Sequence, residues 1–231
     1  MNNKYKTFLF INQKKIIIHT LDLNNRTIYQ KDKVIDNFYK NFNFEIINQF
    51  LKENIFLLEK TLNEFITDIY LIIDYDNFFL LDISLKAELD TQILDKKIVN
   101  NLISEAHNQC KKTLENQKII HVKIDKFVID KNEYLFLPEN KKFKNLSVDI
   151  NFICIPNNLL KKFEEILNNY QISINRIVSF KYLKDFLDPN LSDIFRVALK
   201  LTKGLNENEA IITSRNRENQ GFFEKFFNFF S

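Results

Sequence analysis

The strongest constraint on the fold is a long run of alternating residues in the middle of the chain, at 119–155. Apolar and polar side chains alternate through 120–125 and again through 147–155. A period of two places one side of a strand in a core and the other side towards water. The sequence therefore predicts two half-buried strands separated by a polar loop.

The residues after the second predicted strand change period. Pro156 breaks the strand and Asn157-Asn158 offers an N-cap, after which apolar residues recur at helical spacing up to Tyr170. A further strand is predicted at 172–178. Strand, strand, helix and strand together indicate a small α+β module.

The remaining elements are predicted from the same two periods. We expect a hairpin of strands at 7–11 and 15–21, a short strand at 27–29, a helix at about 45–64, a buried strand at 68–74, an edge strand at 78–83, a helix at about 95–113, a short helix at 182–187 and a last helix around 194–201 that ends at Gly204.

Composition excludes several classes of protein. The 33 basic and 30 acidic residues are interspersed and leave a net charge of +3, so no stripe for nucleic acid is predicted. Cys110 and Cys154 form no CxxC pair and are expected to be reduced core residues. Because the start of the chain is polar, no signal peptide is predicted. The chain contains no run of about eighteen apolar residues, so no membrane-spanning helix is predicted.

Glycine is scarce, with only Gly204 and Gly221 in 231 residues. Loops that cradle phosphate need glycine because the backbone must approach the ligand closely. The chain holds no glycine-rich loop, so no nucleotide or other cofactor is predicted.

The C-terminal residues predict a membrane-binding helix on a tether. Residues 205–220 are mostly polar, and 221–231 hold six phenylalanines. At about 100° per residue these rings fall within an arc of about 160° on a helix. The predicted membrane-binding residues are Phe222, Phe223, Lys225, Phe226, Phe227, Phe229 and Phe230. The alternative is a terminal helix that docks on the protein's own core.

The order of these elements resembles FtsA, the actin-like bacterial cell-division family, in which a strand-helix-strand-strand insert replaces one actin subdomain. The runs that carry the resemblance are 70–73, 120–122, 127–130, 146–155, 157–169, 172–178, 198–201 and 222–230. The resemblance implies an α+β (α/β-like) fold with one actin-like lobe at 1–84 and 171–204, an inserted module at 85–170, a polar linker at 205–220 and a membrane-targeting helix at 221–231.

Two departures from that family bear on function. The family opens with Leu-Asp-Ile-Gly, whose Asp and Gly handle metal and phosphate, whereas this chain has Leu9-Phe10-Ile11-Asn12. After Leu187 the chain continues directly to its last helix, which leaves no room for the second actin lobe. The resemblance therefore implies a shortened relative that does not bind ATP, and it puts binding to the ring protein FtsZ in doubt.

These observations predict a non-enzymatic scaffold on the cytoplasmic face of the bacterial membrane. Its expected partners are anionic lipid, divisome proteins and other copies of itself, with no nucleic acid. One alternative is an actin-like assembly scaffold of a pilus or secretion system. Another is a soluble nucleotide-binding enzyme.

Several titratable residues are candidate site residues, and a structural role is expected for each. They are His19, His107 with Cys110, His121, Cys154, and the carboxylates Asp68, Asp74, Asp76 and Asp82. His121 is expected to be a solvated surface residue, and the aspartates are expected to cap strand ends. No catalytic residue and no metal ligand is predicted.

Overall fold

The computed structural model describes residues 4–35, 42–93, 96–138, 142–188 and 193–210. In chain order the elements are β1 (Tyr5–Ile11), β2 (Lys15–Asp22), β3 (Thr27–Val34), α1 (Phe44–Leu62), β4 (Asp68–Ile73), β5 (Phe79–Ile93), α2 (Lys96–Thr113), β6 (Gln117–Ile129), β7 (Asn132–Tyr134), β8 (Lys142–Pro156), α3 (Asn157–Asn168), β9 (Ser173–Ser179), α4 (Phe180–Lys184) and α5 (Ile194–Thr202). The predicted mixed α/β class is confirmed.

The chain divides into two compact units. The first contains Met1–Asn77 and Asn157–Lys203, and the second contains Phe78–Pro156 and Gly204–Ser231. The helix α3 lies within the range 85–170 that was expected to form the inserted module, but α3 belongs to the first unit. The reason is aromatic packing, since Phe163 of α3 lies edge-on to Phe42 and Phe44 at 5.5 and 5.1 Å between ring centroids.

The first unit is built on a five-stranded sheet in the order β3-β2-β1-β4-β9. β4 pairs in parallel with both β1 and β9, whereas the hairpin of β1 and β2 is antiparallel. The neighbouring inner strands β1 and β4 are apolar along most of their length, and their residues Ile11, Leu71 and Ile73 are completely buried. Such continuous apolar runs are typical of strands covered on both faces.

The helix α1 shows how local sequence sets the bounds of an element in this unit. The Asn43 side chain caps its start by accepting a hydrogen bond from the Ile46 backbone N–H. Phe50, Leu51 and Leu58 form its buried stripe. Asn63 ends it in the left-handed conformation, with φ of 54°, a place where most helices use glycine.

The second unit is a four-stranded antiparallel sheet in the order β5-β8-β6-β7. One face packs against α2, where Ile103 and Ala106 contact a core that includes Val148 and Phe152. The other face is polar, and Ser84 of β5 bonds across to β8 there. This division of faces is the one that the alternation of residues predicts.

Two strands of the second sheet differ from the prediction. β5 was expected to end at residue 83 but continues to Ile93, because it goes on pairing with β8, in one register up to Glu88 and after a register shift at Gln92 and Ile93. β7 was not predicted at all. Asp130 and Lys131 turn the chain from β6 into β7 with positive φ at both residues, the geometry of a type I′ hairpin turn.

Residues 205–210 also differ from the prediction, which assigned them to the polar linker. The Ile124 N–H donates to the Asn208 carbonyl, and the Ala210 N–H donates to the Val122 carbonyl. Ala210 is buried in the core of the second unit. A free tether can therefore begin only after residue 210. The rest of the predicted linker and the helix at 221–231 lie outside the described residues.

Candidate functional site

The turn between β1 and β2 is where the FtsA resemblance locates the nucleotide loop. Phe10 is buried, and its ring meets Phe180 edge-on at 5.1 Å. The Asn12 side-chain oxygen accepts hydrogen bonds from the backbone N–H groups of Lys14 and Lys15, at 2.9 and 2.6 Å. These two residues therefore fill the core and hold a tight turn, where the family uses Asp and Gly for metal and phosphate.

His121 is not the solvated surface residue that the sequence predicts. Its imidazole is 2% exposed, and Nδ1 lies 2.7 Å from Oε1 of Glu209, which is equally buried. The alternation correctly assigns His121 to the face opposite Val122. It could not show that a residue 88 positions later in the chain covers that end of the face.

The segment that carries Glu209 closes one edge of the second sheet. Lys123 and Glu209 form an antiparallel bridge, and the two backbone hydrogen bonds described above flank it. The Asn208 side chain adds a bond to the Leu135 carbonyl at 2.9 Å. Residues 208–210 therefore act as a short additional strand on β6, and the turn at 206–208 leads into it.

His19, for which the sequence predicts a structural role, makes its contacts within the first unit. Its ring stacks on Phe195 of α5 with centroids 4.2 Å apart, Nδ1 lies 3.0 Å from Oε1 of Gln30, and Nε2 lies 3.3 Å from the Thr27 hydroxyl. Burial lowers the pKa of His19, although Asp193 and the bond to Gln30 oppose that effect. Both ring nitrogens are thus engaged within the first unit.

His107, Cys110 and Cys154 belong to the second unit. Burial lowers the pKa of His107, and Lys111 and Lys118 add to the effect. Burial raises the pKa of Cys110, and it raises that of Cys154 to about 12, with Cys110 contributing. Both thiols are buried and protonated, so they behave as core side chains. Within the described residues, no group of three or more His, Cys, Asp or Glu is placed to hold a metal ion.

The four predicted aspartates are not brought together as one cluster. Asp68 begins β4 and accepts a bond from Asn175, whereas Asp74 follows the other end of the same strand. Asp74 lies six residue steps after Asp68 along the strand, or about 20 Å away. Asp82 lies in the second unit and accepts a bond from Asn151 at 2.6 Å.

Asp125 is a residue that sequence reasoning missed. It lies at a bulge in β6, where the register with β8 shifts between Ile124 and Lys126. Partial desolvation, together with Asp82 and Asp149, raises the pKa of the Asp125 carboxyl, and Lys123 opposes this. The bulge is visible in the sequence as a break in the alternation, because the alternating apolar residues fall at even positions up to Ile124 and at odd positions from Phe127 onwards.

A shallow groove lies on the first unit beside α1. It encloses about 340 Å³, and its lining includes Ile55, Phe56, Phe65 and Tyr170. Phe56 and Phe65 are 70% and 85% exposed. Phe56 lies off the buried stripe of α1, which is a signal that the sequence already contains. Apolar side chains are therefore exposed on this side of the first unit.

The predicted membrane-binding residues, from Phe222 to Phe230, lie outside the described part of the chain. Among the helices that the structure describes, none is long and apolar enough to cross a membrane.

No protein-family model and no curated protein matches the chain. Solved structures are similar to it at low identity. They include the cytoplasmic domain of EpsL, an inner membrane component of the type II secretion system of Vibrio cholerae, at 9% identity and a TM-score of 0.35, over 76% of this chain and 55% of that one. A PilM–PilN type IV pilus biogenesis complex is similar at 12% identity and a TM-score of 0.40, over 78% of this chain and 49% of that one.

A third similar structure is a Bacteroides thetaiotaomicron protein described as having an actin-like ATPase fold and unknown function. Its identity is 13% and its TM-score 0.34, over 79% of this chain and 55% of that one. This chain therefore spans about half the length of these three solved structures. An actin-like fold is named for one of the three, and none of the three is FtsA.

Proposed function

We propose that this chain is a non-enzymatic scaffold of the actin-like type that holds partner proteins at the cytoplasmic face of a bacterial membrane. The observation that carries the proposal is the position of the second unit. The chain leaves the first sheet after β4, builds the whole four-stranded sheet with α2, and returns through α3 to β9, the strand beside β4. The FtsA resemblance implies an insert at this point. Such an insert adds contact surface without disturbing the parent sheet.

An assembly scaffold of a pilus or secretion system is the first candidate for the cellular role. Two of the similar structures support this choice, since one is an inner membrane component of a secretion system and the other is a pilus biogenesis complex. A division scaffold that recruits divisome proteins, FtsZ among them, is the second candidate. The sequence of the C-terminus favours it, because a polar segment there precedes a phenylalanine-rich one.

The proposal that the chain is not an enzyme is supported at the β1–β2 turn. Phe10 and Asn12 are committed there to packing and to the turn. We expect no saturable binding in a calorimetric titration with Mg-ATP. Binding at micromolar concentration would favour the nucleotide-binding enzyme instead.

Membrane attachment is assigned to residues 222–230. Burying six phenylalanine side chains could contribute roughly 1.5 to 3 kcal/mol each. Ordering about ten residues at about 1 to 2 kcal/mol apiece offsets much of that gain. Binding by one copy should therefore be modest and should strengthen when copies are linked.

The test is co-sedimentation with vesicles that contain phosphatidylglycerol. Phe226→Asp with Phe227→Asp should abolish sedimentation without lowering the melting temperature. Asn228→Asp with Ser231→Asp adds the same charge outside the aromatic arc and should retain most of the binding. A large fall in melting temperature for the first pair would show that the rings belong to the protein core.

Partner identity is tested by affinity purification of the full chain from native cells after cross-linking. The matched control ends at Gln220, because a chain cut at Gly204 would also lose Glu209 and Ala210 from the second unit. Recovery of inner-membrane pilus or secretion components supports the first candidate. Recovery of FtsZ and other division proteins supports the second.

A further inference from the structure

The two edges of the second sheet differ in whether a neighbouring strand covers them. At the β6 edge, β7 and residues 208–210 supply neighbouring strands. At the other edge lies β5, which is 15 residues long and which, among the described strands, pairs with β8 only. A long strand of this kind presents unpaired backbone N–H and C=O groups along one side.

The side chains of β5 indicate that its core face is incompletely covered. Leu81, Ile83 and Leu85 pack against the core beneath α2, yet each is only partly buried. Their partners on β8 are fully covered, and Ile150, opposite Ile83, is 1% exposed. A neighbouring strand beyond β5 would extend the same core.

We infer that β5 pairs antiparallel with β5 of a second copy of this chain, joining two four-stranded sheets into one. The inference does not rest on membrane attachment or on the cellular role proposed above. It rests on the edge position of β5 and on the charges along it.

The charges on the polar face of β5 favour a register centred on Ser84, in which opposite charges face each other within the regular stretch that ends at Glu88. A register centred on Ala87 would also pair Lys86 with Glu88, but it would extend past the register shift that follows Glu88. With Ser84 of each copy at the two-fold axis, Asp82 lies opposite Lys86 of the second copy, and the same pair recurs on the other side of the axis. On the core face of that register, Ile83 lies opposite Leu85. An axis at Asp82 or at Lys86 would instead put like charges opposite each other.

Asp82 and Lys86 are both accessible for an ion pair between two copies. Lys86 is exposed and forms no ion pair with any described residue. Asp82 is exposed too, and only its Oδ1 is engaged by a residue of the described part of the chain, through Asn151. Residues 79–88 pair with β8 without a register shift, so this stretch of the edge is regular.

The first test uses charge-swapped variants of the full chain in sedimentation velocity over a range of concentrations. The unchanged chain should form dimers as concentration rises. Lys86→Asp places Asp opposite Asp, and Asp82→Lys places Lys opposite Lys, so each variant alone should sediment as a monomer. Mixed together they restore both opposite-charge pairs, and the mixture should dimerise. Circular dichroism of each variant should match that of the unchanged chain.

The second test measures the register directly. Residues opposite each other across a sheet have Cβ atoms about 4.5–5.5 Å apart, so Ser84→Cys should form a disulfide-linked dimer under mild oxidation. Lys86→Cys is the control, because its two copies would lie about 13 Å apart along the strands. The native Cys110 and Cys154 are buried.

Three results would overturn the inference. The first is an unchanged chain that stays monomeric at every concentration. The second is equal cross-linking of Ser84→Cys and Lys86→Cys, or none by either in folded protein. The third is association that appears only when residues 211–231 are removed, which would show that the chain's own C-terminus covers β5.

Discussion

At one edge of the second sheet the chain provides its own neighbour, and at the other it provides none among the described residues. Residues 208–210 lie along β6 and bring Glu209 to the buried His121, whereas β5 ends the sheet with half-covered apolar side chains. The β6 edge is covered by a short segment that a buried histidine–glutamate pair holds in place. The β5 strand is longer and has apolar residues, but it has no such pair and no covering segment among the described residues. The predictions below test that difference.

The largest expected effect is on the closed edge. Glu209→Ala removes the carboxylate that His121 bonds inside the protein, and breaking a buried pair of this kind costs about 3–5 kcal/mol. Urea denaturation should show that loss in the free energy of unfolding. Glu207→Ala, two residues earlier and exposed, should change it by no more than about 0.5 kcal/mol. A loss below about 1 kcal/mol for Glu209→Ala would mean that the pair does not hold the segment.

The next effect contrasts two isoleucines that face each other across β5 and β8. Ile150→Ala, in a fully buried position, should lower the free energy of unfolding by about 2–5 kcal/mol. Ile83→Ala, on the open edge, should cost roughly 1 kcal/mol because much less apolar area is removed from water. Both are measured in dilute protein. Equal losses would show that β5 is covered.

A smaller gain is expected at the turn between β6 and β7. Lys131 has φ of 72°, and a side chain in the left-handed region costs about 1–2 kcal/mol relative to glycine. Lys131→Gly should therefore raise the melting temperature, as seen by scanning calorimetry. Lys144→Gly serves as the comparison. That residue lies inside β8, where glycine should destabilise the strand.

These elements also show what the sequence could and could not predict. The helix α1 was predicted at about 45–64 and is found at Phe44–Leu62, because its apolar period is long and its caps are local. The end of β5 was missed because Lys86, Ala87 and Glu88 are residues of low strand propensity, although polar and apolar residues alternate there with the period of two that also predicts β6 and β8.

The site residues were harder to predict than the elements. The period of two gives the face on which His121 lies, but its burial depends on Glu209, far along the chain. The same contact explains why the polar residues 206–210 were interpreted as linker. Their composition is that of a loop, and their ordering comes from backbone bonds to Val122 and Ile124.

The smallest expected effect lies on the polar face between the two edges. The raised pKa of Asp125 means that its carboxylate is disfavoured in the folded state, so its contribution to stability is complete below the unfolded pKa of about 3.9 and is lost as pH rises through the folded pKa. Asp125→Asn should raise the melting temperature slightly at pH 7, and the gain should shrink towards pH 4. A lower melting temperature at pH 7 would indicate that attraction to Lys123 dominates.

Hydrogen–deuterium exchange of the intact chain tests the difference between the edges most directly. Peptides from residues 117–124 should be protected at low and high protein concentration alike. Those from 79–88 should exchange faster when the protein is dilute and slow down as it is concentrated. Protection of 79–88 that is already complete in dilute protein, or exchange there that does not respond to concentration, would contradict an open β5 edge that a second copy closes.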